Sequence, residues 1–209
     1  SAVDDMKRSV DAIKNHFVSR NFLDIPVLSY YKINREMHQN GFKESSLDQN
    51  NWSMVYNNSI TSHIDDFKDF LSWFRFQEDL ENQEKLDRKD FNYVNPGLQA
   101  VREANNKFLG FLEASFSNLR VRRKSPERID FQKPAKEWDL VITKDNLDFK
   151  ITQLSSGERA LILLISDIAR RAHGANPNSL TPHLNEGLVL IDEIELHLHP
   201  SWQRKVVVA

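Results

Sequence analysis

The run Gly187-Leu188-Val189-Leu190-Ile191 is continuously apolar and ends in two adjacent acids, Asp192 and Glu193. A run of this kind, without polar alternation, reads as a strand buried on both faces, and such strands occur in parallel sheets covered by helices. The chain is therefore expected to be an α/β protein. A carboxylate at the C-terminal end of a buried strand is held rigidly, where it can reach a divalent cation, and a second one beside it can orient water. A strand that merely ends in two solvated acids has the same sequence, so the pattern alone leaves both readings open.

Upstream, Leu154-Ser155-Ser156-Gly157-Glu158 opens a helix that runs through Ala160-Leu161-Ile162-Leu163-Leu164-Ile165 to Arg171. Its apolar residues cover most of the circumference, which predicts a buried helix with only its N-terminus open. A helix N-terminus carries about +0.5 elementary charge and a fan of free N–H groups, a natural place for phosphate. The same S-S-G-E start is also a capping box, in which serine and glutamate satisfy each other's backbone N–H groups.

The rest of the chain supplies a frame for these two segments. Val3, Met6, Val10, Ile13 and Phe17 recur at helical spacing over residues 1–20, and Asp24 to Tyr31 reads as a strand with Pro26 at its start. Residues 38–60 have no clean period and read as loop. From Ser62 the helical period returns, with Phe67, Phe70, Leu71, Trp73 and Phe74 as a broad aromatic stripe and an acidic stretch from Glu78 to Asn82. Such a stripe is more often core than ligand-binding face. Asn95-Pro96-Gly97 breaks the chain before a second helix, Leu98 to Phe116. Four extended segments follow at 118–123, 128–132, 138–143 and 147–151, a β-meander with Asp145-Asn146 as a turn.

Composition removes several function classes. The 209 residues include no cysteine, which excludes disulfides and thiolate metal sites and fits a cytoplasmic protein. The longest apolar run, Ala160 to Ile165, is too short to cross a bilayer, so no membrane partner is expected. A net charge of −2 gives no global attraction to nucleic acid, and any DNA contact must come from a local patch such as Arg120-Val121-Arg122-Arg123-Lys124. Glu195, His197 and His199 alternate beyond the acid pair, a spacing that could contribute to a zinc site but lacks a third nearby histidine. The six glycines occur singly, and no G-x-x-x-x-G-K-[ST] stands anywhere in the sequence. With a start at Ser1 and an end soon after the acid pair, the chain is expected to be an incomplete piece of a longer protein.

The segments Leu154-Ser155-Ser156-Gly157-Glu158-Arg159 and Val189 to Gln203 closely resemble the signature and Walker B motifs of ABC-type ATPases related to RecF, SMC and OLD proteins. Pro26 to Tyr31 with Arg35, and Phe70-Leu71-Ser72-Trp73-Phe74 with Glu78 to Asn82, resemble the branch found in anti-phage defence, the PtuA-type ATPases of Septu and retron-linked systems. The resemblance implies an α/β fold, an incomplete ABC-type ATPase head with a buried parallel Walker B strand, a β-meander and an inserted α-helical pair. Residues 1–61 would be part of the ATPase lobe, 62–117 the helical insertion, and 118–209 the meander, signature helix and Walker B segment.

It implies ATP and Mg²⁺ as cofactors, with Asp192 the magnesium carboxylate and Glu193 the catalytic base. Ser155, Ser156, Gly157 and Glu158 would face the ATP of a second subunit, and His197 and His199 would occupy a D-loop-like stretch. Expected partners are a second ATPase head in a homo-oligomer and an HNH endonuclease of the PtuB type, with DNA or a retron reverse transcriptase and its DNA as further possibilities. A RecF- or SMC-like role in DNA repair or chromosome maintenance, and a scaffold without turnover, are the alternatives. Ser156 stands where transporters have glycine, Ile194 where proline usually follows the two acids, and His199 where transporters have the D-loop aspartate. The last departure puts transporter-like communication between sites in doubt.

Overall fold

The computed structural model describes residues 8, 26–31, 68–112, 115–123, 138–177, 179, 187–192, 194 and 198–206. The expected helix over 1–20, the loop over 38–60 and the strand over 128–132 fall outside the described residues, apart from Arg8, which is helical. In chain order the elements are β1 (Val27–Tyr31), α1 (Lys68–Arg88), α2 (Pro96–Phe111), β2 (Phe116–Arg123), β3 (Trp138–Lys144), β4 (Leu147–Lys150), α3 (Ser156–Ala175), β5 (Gly187–Ile191) and α4 (Pro200–Val206). A short 3-10 turn, Ile151–Gln153, leads into α3.

Two sheets organise the described residues. β1 and β5 pair in parallel, with Val27 opposite Gly187 and Tyr31 opposite Ile191. β2, β3 and β4 form an antiparallel meander. Its second hairpin closes through Asp145 and Asn146, both at positive φ (49° and 66°), between paired Lys144 and Leu147. That is the geometry of a two-residue turn whose twist matches the strands, and Asp and Asn tolerate it better than other non-glycine residues. A register shift between Ser117 and Arg120 accompanies Asn118 at φ 55° in β2.

The aromatic stripe of α1 is core. Phe70, Leu71 and Phe74 are buried, and the Phe70 and Phe74 ring centroids lie 5.7 Å apart at a tilt of 48°. One apolar cluster takes in Tyr31, Phe74, Leu98, Leu109, Leu119, Ile142, Leu161 and Ile162. α2 begins under Asn95, whose Oδ1 accepts from the N–H groups of Gly97 (2.9 Å) and Leu98 (3.2 Å), with Pro96 at the first helical position. Between α2 and α3, Asn105 Nδ2 donates to Ser166 Oγ at 2.8 Å, and Ser166 Oγ donates to the Ile162 carbonyl at 2.6 Å.

The acidic stretch of α1 is a clamp. Arg102 of α2 donates to Glu78 Oε1 (2.9 Å), to Glu81 Oε2 (3.2 Å) and to the Leu119 carbonyl (3.2 Å). Glu78 Oε2 also accepts from the Val121 N–H (2.7 Å), and Glu81 Oε2 from the Asn95 N–H (2.9 Å). One guanidinium and two carboxylates therefore join α1, α2, β2 and the turn between the helices.

Candidate functional site

α3 starts where the sequence places it. Ser155 is the N-cap, and its Oγ accepts from the Glu158 N–H at 3.3 Å while Glu158 Oε2 accepts from the Ser155 N–H at 3.0 Å. The capping box is thus formed. Ser155 and Ser156 are exposed and Gly157 is buried. The second oxygen of Glu158 accepts from Lys144 Nζ at 2.6 Å, and that ammonium lies 5.4 Å from the centre of the Phe116 ring. Burial alone would raise the Glu158 carboxyl. The donors from Lys144 and Ser155 outweigh it and hold the group below its ordinary value.

β5 delivers Asp192. The Asp192 N–H donates to the Tyr31 carbonyl at 2.9 Å, one step beyond the last paired residues, and the residue is exposed. The strand is parallel to β1, as an α/β arrangement requires. Its faces differ: Val189 and Ile191 pack on the core, whereas Leu188 and Leu190 are 56 % and 50 % exposed. Among the described residues only β1 pairs with it, and the face carrying Leu188 and Leu190 is open. Gly187 fits a close approach, since a Cβ would lie 2.9 Å from the Val27 carbonyl oxygen.

A buried polar cluster connects β1 with α3. The Tyr31 hydroxyl donates to Asp167 Oδ2 at 2.8 Å, Arg171 Nε donates to the same oxygen at 2.8 Å, and Arg170 donates to Oδ1 through Nη2 (2.6 Å) and Nε (2.9 Å). Desolvation pushes the Asp167 carboxyl up. The two guanidinium groups more than reverse this and lower it to about 2. Burial, and then the Asp167 charge, push the Tyr31 phenol far above its ordinary range, so it remains a donor. The sequence reading did not single out this cluster. Its one signal is an aspartate close behind the apolar run Ala160 to Ile165, followed by arginines at the third and fourth positions beyond it.

Of the remaining expected site residues, Glu193 and His197 fall outside the described residues. His199 lies at the start of α4, where its Nδ1 accepts from the Ser201 N–H (3.3 Å) and meets Ser201 Oγ at 2.7 Å. Its carbonyl accepts from Trp202 and Gln203, so in this position the residue caps a helix. The described arginines of the basic cluster are ion-paired: Arg120 and Arg122 share Asp148, and Arg123 pairs with Asp79 at 2.9 Å. Among the described residues, no group of three or more His, Cys, Asp or Glu side chains could enclose a metal ion. None of their helices is long and apolar enough to cross a membrane.

A mixed α/β fold with a parallel strand pair and an acid at a strand's carboxyl end belongs to the class in which ligands gather at strand ends. The family model described as "AAA domain, putative AbiEii toxin, Type IV TA system" matches residues 45–209, and the chain belongs to that family of AAA-type ATPase domains. It is similar to the "Retron Ec83 probable ATPase" of Escherichia coli, 33% identical over 188 residues, which is 73% of this chain and 34% of that protein. The "Retron Vc95 probable ATPase" of Vibrio cholerae is 26% identical over 234 residues, covering 93% of this chain and 43% of the relative. The Septu protein PtuA of Bacillus thuringiensis is 28% identical over 147 residues, covering 68% of this chain and 31% of the relative. The chain thus spans between 31% and 43% of the length of these relatives. It is an ABC/AAA-type ATPase domain related to those of defence systems.

Proposed function

We propose that this chain is part of the ATPase subunit of a bacterial anti-phage defence complex of the Septu or retron type. In this reading ATP-dependent pairing of two heads, followed by hydrolysis, controls an associated HNH nuclease. Asp192 holds Mg²⁺ against the nucleotide, Glu193 orients the attacking water, and the Ser155-Ser156-Gly157-Glu158 tip closes on the phosphates of the other subunit's ATP. The observation that carries it is Asp192, exposed at the carboxyl end of a strand parallel to β1 and anchored through its N–H to Tyr31.

Mg²⁺ keeps most of its waters and is commonly held by one or two carboxylates together with substrate phosphates. A single carboxylate at a strand end fits that chemistry. The tip fits an across-dimer role on electrostatic grounds. Lys144 offsets the Glu158 charge, leaving the positive helix end available to an anion. The names of the relatives, two retron ATPases and a Septu protein, favour defence over DNA repair or chromosome maintenance.

The test is to purify the full-length protein with the product of its genomic neighbour and measure ATP hydrolysis and DNA cleavage with and without ATP. Mg²⁺-dependent hydrolysis, with cleavage that changes on adding ATP, is expected. No hydrolysis and no effect of ATP on assembly or cleavage would leave the scaffold reading in its place.

A further inference from the structure

Tyr31 makes two hydrogen bonds that lead in different directions. Its carbonyl accepts the Asp192 N–H at 2.9 Å, and its hydroxyl donates to Asp167 Oδ2 at 2.8 Å. The first bond fixes the end of β5. The second reaches α3, the helix whose exposed start is Ser155. The ring between them is 1 % exposed and packed in the main apolar cluster, so it cannot swing aside without opening the core. Asp167 is equally fixed, because Arg170 holds one carboxylate oxygen and Arg171 shares the other with the phenol. Along α3, Ser156 and Asp167 are separated by roughly 16 Å at about 1.5 Å per residue. A rigid helix carries a displacement over that length.

We propose that Tyr31 is a positioning residue, a strut that sets the place of Asp192 relative to α3, so that a shift of the Ser155 tip is felt at the strand end. The proposal rests on reading Asp192 as the carboxylate that holds Mg²⁺. Tyr31 touches neither nucleotide nor metal in this account. It acts through the backbone of Asp192 on one side and through Asp167 on the other, in the way that supporting hydrogen bonds orient metal ligands and tune affinity.

The experiment uses the full-length protein and Tyr31→Phe, which keeps the ring and removes only the hydroxyl. ATP hydrolysis is measured against Mg²⁺ concentration at a temperature where both proteins are folded. Tyr31→Phe is expected to weaken the apparent Mg²⁺ affinity about tenfold, with the rate restored by excess Mg²⁺. Arg170→Gln weakens the same buried cluster but leaves the Tyr31–Asp167 bond, and should lower stability without moving the Mg²⁺ dependence. A Tyr31→Phe curve that superimposes on wild type, or an Arg170→Gln curve that moves as far, overturns the proposal.

A second measurement needs no variant. In wild type, hydrogen exchange under rising denaturant should show residues 187–192 and 156–175 losing protection in one cooperative step, and separate steps overturn the strut. A wild type that exchanges in one step but does not hydrolyse ATP sinks the ATPase reading and leaves the mechanical link standing.

Discussion

Lys144 Nζ lies 2.6 Å from Glu158 Oε1, and the other oxygen of that carboxylate receives both the N–H and the hydroxyl of Ser155. A lysine at the end of β3 therefore completes the cap of the helix that the family resemblance assigns to phosphate recognition. Removing the serine hydroxyl takes one partner from the box. Ser155→Ala is expected to cost about 1 kcal/mol, read by chemical denaturation of the full-length protein. Lys144→Met should cost up to about 1 kcal/mol, because the pair is only partly buried. Ser155→Arg should block head closure by bulk while nucleotide binding persists, as measured by titration with a fluorescent ATP analogue. Loss of binding would contradict the across-dimer role of the tip.

Gly187 makes a different demand. A methyl group there would sit 2.9 Å from the Val27 carbonyl oxygen, which belongs to the backbone and cannot rotate away. Gly187→Ala must push β1 and β5 apart, and we expect a loss of about 1–3 kcal/mol. Hydrogen exchange at 27–31 should accelerate in this variant. Unchanged exchange would show that the strands can shift at little cost.

Arg102 is the shared partner of Glu78 and Glu81, and its guanidinium also lies 5.9 Å from the centre of the Phe74 ring. Arg102→Met would leave two mostly buried carboxylates facing each other with fewer donors. A loss of about 2–3 kcal/mol is expected by thermal or urea denaturation, below the full cost of breaking a completely buried pair. Glu78→Gln in the same background should recover part of it, since it removes one of the stranded charges.

Two of the lowered groups, Asp167 and His173, point to the same dependence on pH. Asp167 has a folded pKa of about 2, below its ordinary value of about 3.9, so its stabilisation is present above 3.9 and is lost as pH falls through about 2. His173 is lowered by burial, beside Gly97 and Trp73, so its unfolded form binds a proton first. Stability should fall as pH drops below about 6.5, the ordinary histidine value. His173→Gln should flatten the slope below about pH 6.5, measured by the midpoint of urea denaturation at each pH. An unchanged slope would contradict the burial argument.

Local chemistry was readable and long-range pairing was not. The aromatic stripe at Phe70 and Phe74, the Asp145-Asn146 turn and the Ser155 cap each follow from neighbouring residues, and each is found. Helix ends were less accurate: α2 stops at Phe111, short of the expected Phe116, which instead begins β2. The Tyr31–Asp167 bond joins residues 136 positions apart, a separation over which no periodic pattern speaks. The same limit applies to the basic cluster, whose ion-pair partners, Asp79 and Asp148, arrive from a helix and from another strand. The uninterrupted apolar run of β5 suggested two buried faces, but the exposure of Leu188 and Leu190 depends on what covers the strand, which periodicity does not encode.

The central claim is that two copies share composite nucleotide sites, each built from one copy's acid pair and the other's helix tip. Mass photometry of the full-length Glu193→Gln variant tests it most directly, since slowed hydrolysis should hold the closed state. A dimer population that rises on adding ATP and Mg²⁺, and that Ser155→Arg abolishes in the same background, is the predicted result. Equal dimer content with and without ATP would contradict it.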